Sequence, residues 1–428
     1  MIETQETERH SHNPLVRYFK LLGPGLVTGA SDDDPSGITT YSVAGASLGY
    51  SMLWTAVATF PLMAAVQLIC ARIGLVTGRG LAGALRRHYP RSFLYAACLL
   101  LLTANVFNIA ADLAGMAEAA TMLTAAPTLA FVPLFGAGIM LVTVYTSYAT
   151  FAKYLKWMTA VLFAYVVAAV LAHPDWWEAW AATVVPSLRW DAAYVATLVG
   201  VLGTTISPYL FFWQASQEVE EEKARGRRTA AQRRGATPHE LADARLDVNT
   251  GMFFSNVVMY FIILATAATL NRSGFTEIAT AREAAEALRP LAGNAAYLLF
   301  ALGLIGTGLL AVPVLAGSAS FAVAEVFGWR SGLDLSPRRG RYFYLVFAGA
   351  IAGGMLLDLF QTSPIRMLFL SAVLNGILAP PLLVLVMLVS NDAQLMGEHT
   401  NGVWLNVLGW GATAVMTAAA AAFFLTSA

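Results

Sequence analysis

Three consecutive carboxylates, Asp32, Asp33 and Asp34, are followed at once by Pro35-Ser36-Gly37, and both flanks are apolar and uncharged, Leu21 to Val27 before them and Ile38 to Tyr50 after them. Acids so placed sit at membrane depth, where each costs about 2.5–3.5 kcal/mol on insertion scales unless it faces protein or a wet cavity. A proline and a glycine directly after the acids unwind a helix, freeing carbonyls and exposing half-helix ends as ligands. The chemistry that such a break supports is cation binding. In a soluble chain the same string is an exposed turn or a helix cap. Here the apolar pieces on either side, each too short to cross a bilayer alone, favour an intramembrane site.

A second interruption lies further on, where Leu202-Gly203-Thr204-Thr205-Ile206-Ser207-Pro208-Tyr209-Leu210 sets a proline among hydroxyls. Two broken helices at matching positions of two halves are the sequence mark of an inverted-repeat carrier that holds its substrate between the breaks. Asn105, Asn108 and Asp112 share one helical face, and that face must look inward. The two asparagines serve equally well as interhelical glue or as site residues. Asp112, an acid with no obvious basic partner, is either protonated or beside water or a cation. Past the second break the chain runs through Gln214 and Gln217 into Glu218, Glu220, Glu221 and Glu222, which read as a solvated helix end.

The elements that must hold these residues are long apolar helices. Of 428 residues, 57% are hydrophobic and 12% charged, against about 25% charged in soluble proteins. Apolar runs of about 20 residues without strand alternation give an all-α membrane protein and not a barrel. Hydropathy marks about eleven segments, at about 21–48, 51–75, 92–122, 128–147, 150–172, 191–222, 248–270, 292–318, 341–359, 364–390 and 402–425. With the amino terminus inside, 21 of the 26 lysines and arginines are cytoplasmic, and Arg189, Arg272, Arg282, Arg289 and Arg366 are outside, in keeping with the positive-inside rule. Residues 1–20 then read as a cytoplasmic tail, with no signal-peptide core. Trp176, Trp177, Trp180 and Trp190 suit an interfacial belt. Cys70 and Cys98 lack metal-ligand spacing and read as packed thiols. The basic stretch Lys223 to Arg245 is what orientation demands beside lipid headgroups, and it does not call for nucleic acid.

Three stretches carry a family resemblance: Gly23-Pro24-Gly25-Leu26, the sequence Gly203 to Tyr209, and Ala71-Arg72-Ile73-Gly74-Leu75-Val76-Thr77-Gly78. In order and spacing, from about Leu21 to the last segment, the chain resembles the NRAMP divalent-metal transporters. The resemblance implies a LeuT-like fold with two inverted five-helix repeats, at 21–172 and 191–390, and an extra helix at 402–428. It also implies a divalent cation as substrate, moved by alternating access. No cofactor and no enzymatic activity are expected, and the expected setting is a monomer in the inner (plasma) membrane.

The family's motifs are Asp-Pro-Gly-Asn in the first helix and Met-Pro-His in the sixth. Asp34 and Pro35 match the first, with Gly37 at the family's Asn; Pro208 matches the second, with Ser207 for Met and Tyr209 for His, and Gln214 stands at a second family His. Thioether sulfur favours soft and borderline ions, while oxygen suits Mg²⁺, Ca²⁺ and Mn²⁺. The implied metal site is Asp34 and Asp33 with Ser31, Thr204 and Ser207, widened by Gly37 to admit a partly hydrated Mg²⁺. Tyr209, Gln214, Asp112, Asn108 and Asn375 are the pathway residues. The chain thus looks closer to the magnesium-transporting relatives of the family. Members that move protons use the sixth-helix His, an acid pair on the third helix and arginines on the ninth. Here Asp112 remains, Gly115 stands at the second acid, Glu118 lies further out, and Tyr342 to Asp358 contains no Arg. His10, His12, His88, His173, His239 and His399 all fall outside the expected helices, so obligatory proton coupling is not expected.

Two other readings remain open from the sequence. One is a LeuT-fold carrier of an organic cation or amino acid, with Tyr209, Phe211 and Phe212 lining the pocket. The other is a non-transporting sensor that keeps the fold.

Overall fold

The computed structural model describes residues 23–124, 126–146, 160–360 and 363–427. The expected tail at 1–20 and the first part of the fifth segment lie outside the described residues. All regular structure among the described residues is helical, and eight helical stretches are long and apolar enough to cross a membrane.

The first segment is two helices, α1 (Pro24–Asp32) and α2 (Pro35–Leu48). Next come α3 (Leu53–Thr77), the short α4 (Leu81–His88), α5 (Arg91–Thr124) and α6 (Thr128–Tyr145). The described part of the fifth segment ends in the helix Ala164–Leu171, and Trp176–Val184 forms a further helix with Trp176, Trp177 and Trp180 exposed, as a belt requires. The sixth segment is again split, into α7 (Ala192–Thr205) and α8 (Pro208–Ala224). The chain then runs through α9 (Pro238–Thr269), α10 (Ala296–Phe327), α11 (Arg341–Asp358), α12 (Pro364–Asn391) and α13 (Val403–Ser427).

Two boundaries differ from hydropathy for local reasons. α9 starts at Pro238 and not near 248, because Thr237 and Glu240 form a reciprocal capping box that hydropathy does not register. His239 therefore lies on its first turn, exposed and 3.0 Å from Asp243, and His88 is the last residue of α4, so neither falls outside the helices. α10 continues to Phe327, where Gly328 at φ 72° ends it in the left-handed conformation.

In lipid, helices gain little from burying apolar surface against one another, so close backbone approach and cross-helix hydrogen bonds carry the association. Both halves of the first broken helix pack on α9. A Cβ on Gly29 would lie 2.3 Å from the Gly251 carbonyl oxygen, and one on Gly25 would lie 2.6 Å from the Val248 nitrogen, so α1 and α9 touch backbone to backbone. α10 packs on α5, where Asn105 donates to the Leu315 carbonyl at 2.8 Å. Of the two asparagines left open by spacing, Asn105 is interhelical glue. α12 packs on α7, and α8 lies against α3 and α10.

Candidate ion site at the paired helix breaks

The two breaks share one backbone form. Asp33 (φ −86°, ψ 50°) and Asp34 (φ −68°, ψ 172°) precede Pro35, while Ile206 (φ −121°, ψ 58°) and Ser207 (φ −77°, ψ 133°) precede Pro208. In each case the residue before proline is driven to extended backbone, and the proline's fixed φ starts the next helix. The breaks meet directly: the Tyr209 hydroxyl donates to the Ser31 carbonyl at 2.8 Å.

Asp34 divides its carboxylate between two tasks. Oδ1 accepts from the Gly37 amide at 2.7 Å and the Ser36 hydroxyl at 2.6 Å, capping α2. Oδ2 has two contacts at the limit of hydrogen-bond length, both 3.5 Å, from Asn108 Nδ2 and the Tyr209 hydroxyl. Asp34 is 1% exposed, and its Oδ2 is left with little local demand on it. Asp112 is buried one turn beyond Asn108, within range of Asp34's charge and of the Ser36 amide. Asn375 is buried with its Nδ2 unpartnered.

Asp33 takes a different set of partners. The Ser255 hydroxyl on α9 donates to Asp32 Oδ2 at 2.7 Å and lies 3.3 Å from Asp33 Oδ1, so these two acids engage α9 while Asp34 engages Asn108 and Tyr209. Ser31 and Ser207 both return their hydroxyl protons to their own helices, Ser31 to Val27 at 2.9 Å and Ser207 to Gly203 and Thr204 at 2.8 Å each. Their lone pairs, and the Ser31 carbonyl's second lone pair, remain as donors to an ion. Gly37 corrects one expectation. It does not widen the pocket, because a Cβ there would lie 2.9 Å from Thr204 Oγ1 and 3.1 Å from the Asp32 carbonyl; the missing side chain lets α2 and α7 close on each other. Gly37 contributes the amide that holds Asp34.

A second correction concerns the glutamates after the break. Glu218 is 3% exposed and accepts from Gln214 Nε2 at 2.9 Å, while Gln214 Oε1 accepts from the Thr28 hydroxyl at 2.5 Å, so α1 and α8 are joined by a buried polar chain. Glu222 is fully buried and paired with Arg227 at 2.8 Å. Glu220 is half-buried and pairs with Lys223, so these three are not a solvated end. At the start of α1, Asp247 of α9 accepts from the amides of Gly23, Gly25 and Leu26 at 2.8, 2.6 and 3.1 Å, capping the helix from another segment. Sequence reasoning passed over Asp247 and Ser255, yet the signal was present. Asp247, Gly251 and Ser255 recur every four residues and so line one face of α9.

No group of three His, Cys, Asp or Glu able to hold a metal occurs among the described residues. An ion at Asp34 would draw its other ligands from carbonyl, hydroxyl and amide oxygens and from water, a hard-cation set.

The sequence profile described as "Nramp: Natural resistance-associated macrophage protein-like" matches residues 25–426. The chain is 29% identical over 431 residues to a protein of Klebsiella pneumoniae (strain 342) named "Divalent metal cation transporter MntH", covering 96% of each. Among solved structures it resembles the Eremococcus coleocola manganese transporter, with a TM-score of 0.73 at 18% identity, over 96% of this chain and 87% of that one. MhsT in complex with L-phenylalanine follows at a TM-score of 0.55 and 14% identity, over 94% and 98%. At these identities the structural likeness is one of fold, and the fold is the LeuT-like one that the family resemblance implied.

Proposed function

The chain belongs to the Nramp family, and from that premise we propose that it carries divalent metal cations across a membrane by alternating access, with Asp34 as the principal ligand. The observation that carries the reading is Asp34 Oδ2, a buried carboxylate oxygen at the junction of two broken helices with contacts no shorter than 3.5 Å. The donors around it are oxygens, with Ser207 and Tyr209 where the family has sulfur and imidazole, and this supports Mg²⁺ or Mn²⁺ over softer ions. The names borne by the relatives support a divalent cation and, for the solved neighbour, manganese. The basic ends of the helices support a cytoplasmic amino terminus in a plasma membrane, with the repeats 21–172 and 191–390 rocking about the breaks.

Transport without obligatory proton coupling is part of the proposal. Glu118 accepts from the Ala281 amide at 2.8 Å and so is engaged in capping a short helix away from Asp34. Among the described residues Asp112 has no basic or imidazole partner to relay a proton.

The test is uptake into proteoliposomes across a panel of ions, read with Mg²⁺- and Mn²⁺-sensitive dyes, together with a trapped pH dye under a clamped potential. Divalent uptake with a current and no acidification is expected. Folded protein that moves no divalent ion, or moves an amino acid or organic amine instead, would refute the cargo. Metal-driven acidification that vanishes in Asp112→Asn would refute the uncoupled mechanism and make Asp112 the proton carrier.

A further inference from the structure

At the basic end of the molecule, away from the breaks, a cavity of about 600 Å³ opens between α4, α8, the end of α10 and the connection that follows α8. Its wall carries Arg79, Arg86, Lys223, Arg233 and Arg330 beside Glu220, Glu325 and Asp334. Five bases face three acids, so the wall keeps a positive excess. Glu220 is taken by Lys223 at 2.5 Å. Glu325 spends its two oxygens on the Gly80 and Gly83 amides, at 2.9 Å each. Arg86 donates to the Glu325 carbonyl at 3.2 Å, and buried Arg233 donates to the carbonyls of Gly78, Arg227 and Arg228, so their acceptors are neutral and their charge stands. Arg79 and Arg330 form neither an ion pair nor a side-chain hydrogen bond among the described residues. Burial, with the like charges of Arg87, Arg233 and Arg86 against the one opposing charge of Glu325, lowers the Arg79 guanidinium from its usual range.

A smaller cavity of about 230 Å³ shares Trp329 and Arg330 with the first and adds Arg338, Arg339 and Arg341, with no acid in its wall. Trp329 is stacked between Phe327 and Tyr342, with ring centroids 4.8 Å away on both sides, so neither face is free to receive an aromatic base. Recognition here is by charge.

We propose that this double cleft binds a phosphate-bearing anion, either free phosphate or the headgroup of an anionic phospholipid. Guanidinium forks match phosphate oxygens in pairs, and basic pockets between helix ends at the headgroup level bind such groups. Orientation in a membrane calls for basic loops, but it does not call for guanidiniums from three connections to converge on one cavity. An anion seated there ties α4 and α8 to the α10–α11 connection.

The experiment uses the full chain in nanodiscs. One arm measures radiolabelled orthophosphate binding in phosphatidylcholine discs; the other compares thermal unfolding in phosphatidylglycerol and phosphatidylcholine discs without phosphate. Arg79→Gln/Arg330→Gln is expected to weaken orthophosphate binding about tenfold, or to abolish the phosphatidylglycerol stabilisation, while Arg189→Gln at the opposite end leaves both unchanged. A response in the first arm identifies free phosphate, and one in the second arm alone identifies a lipid headgroup. Arg330→Gln by itself, an exposed change, keeps the test sound if the double variant is unstable. No response of the wild type in either arm, or equal losses in Arg189→Gln, overturns the proposal.

Discussion

At the first break the capping residue is an acid whose Oδ1 holds the Gly37 amide at 2.7 Å; at the second it is a serine that caps nothing ahead and returns its hydroxyl to Gly203 and Thr204. The backbone around the two is alike, and each is followed by a proline that starts the next helix. The charge is therefore not part of what makes a break. Asp34 commits one oxygen to capping and leaves the other with only 3.5 Å contacts, whereas the second break offers hydroxyl and carbonyl oxygens without charge. On the proposed function, the first break would supply the attraction for a cation and the second the shape of its coordination shell.

Asp34→Asn puts the sharpest pressure on this contrast. It keeps an oxygen to cap α2 but removes the charge, and losing one partner of a buried ionic contact costs about 3–5 kcal/mol, or a hundredfold or more in apparent affinity at about 1.4 kcal/mol per decade. Uptake should collapse while thermal unfolding barely moves, and Ser207→Ala should lose far less. Comparable losses in the two variants would mean that the breaks do not divide the work in this way.

Next in size is Asp247→Ala, which removes the acceptor of three α1 amides and should lower stability by about 2 kcal/mol, with Asp247→Asn recovering part. An unchanged unfolding midpoint in nanodiscs would show that water satisfies the start of α1 as well as α9 does. Gly37→Ala should cost about 1–3 kcal/mol by overpacking against Thr204, and Thr204→Ala in the same chain should recover most of it. If the double variant is no better than the single one, α2 and α7 do not meet where we place them. The smallest effect belongs to Ser207→Met, expected to shift competition by a few-fold toward Cd²⁺ and away from Mg²⁺. A competition curve identical to wild type would mean that Ser207 faces away from the ion.

The helix breaks and the class of fold were legible because each is a local property of the chain. An acid run inside an apolar segment has no other stable place in a bilayer, and Pro35 and Pro208 dictate backbone without help from neighbours. The face bearing Asn105, Asn108 and Asp112 was likewise fixed by helical spacing. Hydropathy did less well where capping and polar helix ends take over, as at Pro238 and Phe327, since those ends are set by hydrogen bonds and not by oil-like residues.

Partnership was decided by tertiary structure. Nothing local says that Asp32 and Asp33 are met by Ser255 while Asp34 faces Asn108, that Gly37 is filled by Thr204, or that Gln214 on α8 accepts from Thr28 on α1. These pairings join residues up to 223 positions apart. In a medium where unmet polar groups are costly, the packing of helices determines which partner satisfies each one. Sequence fixed which residues must find partners, because polarity at membrane depth is a property of each residue; only the arrangement of α1, α2, α5, α7, α8 and α9 decided which partners they found.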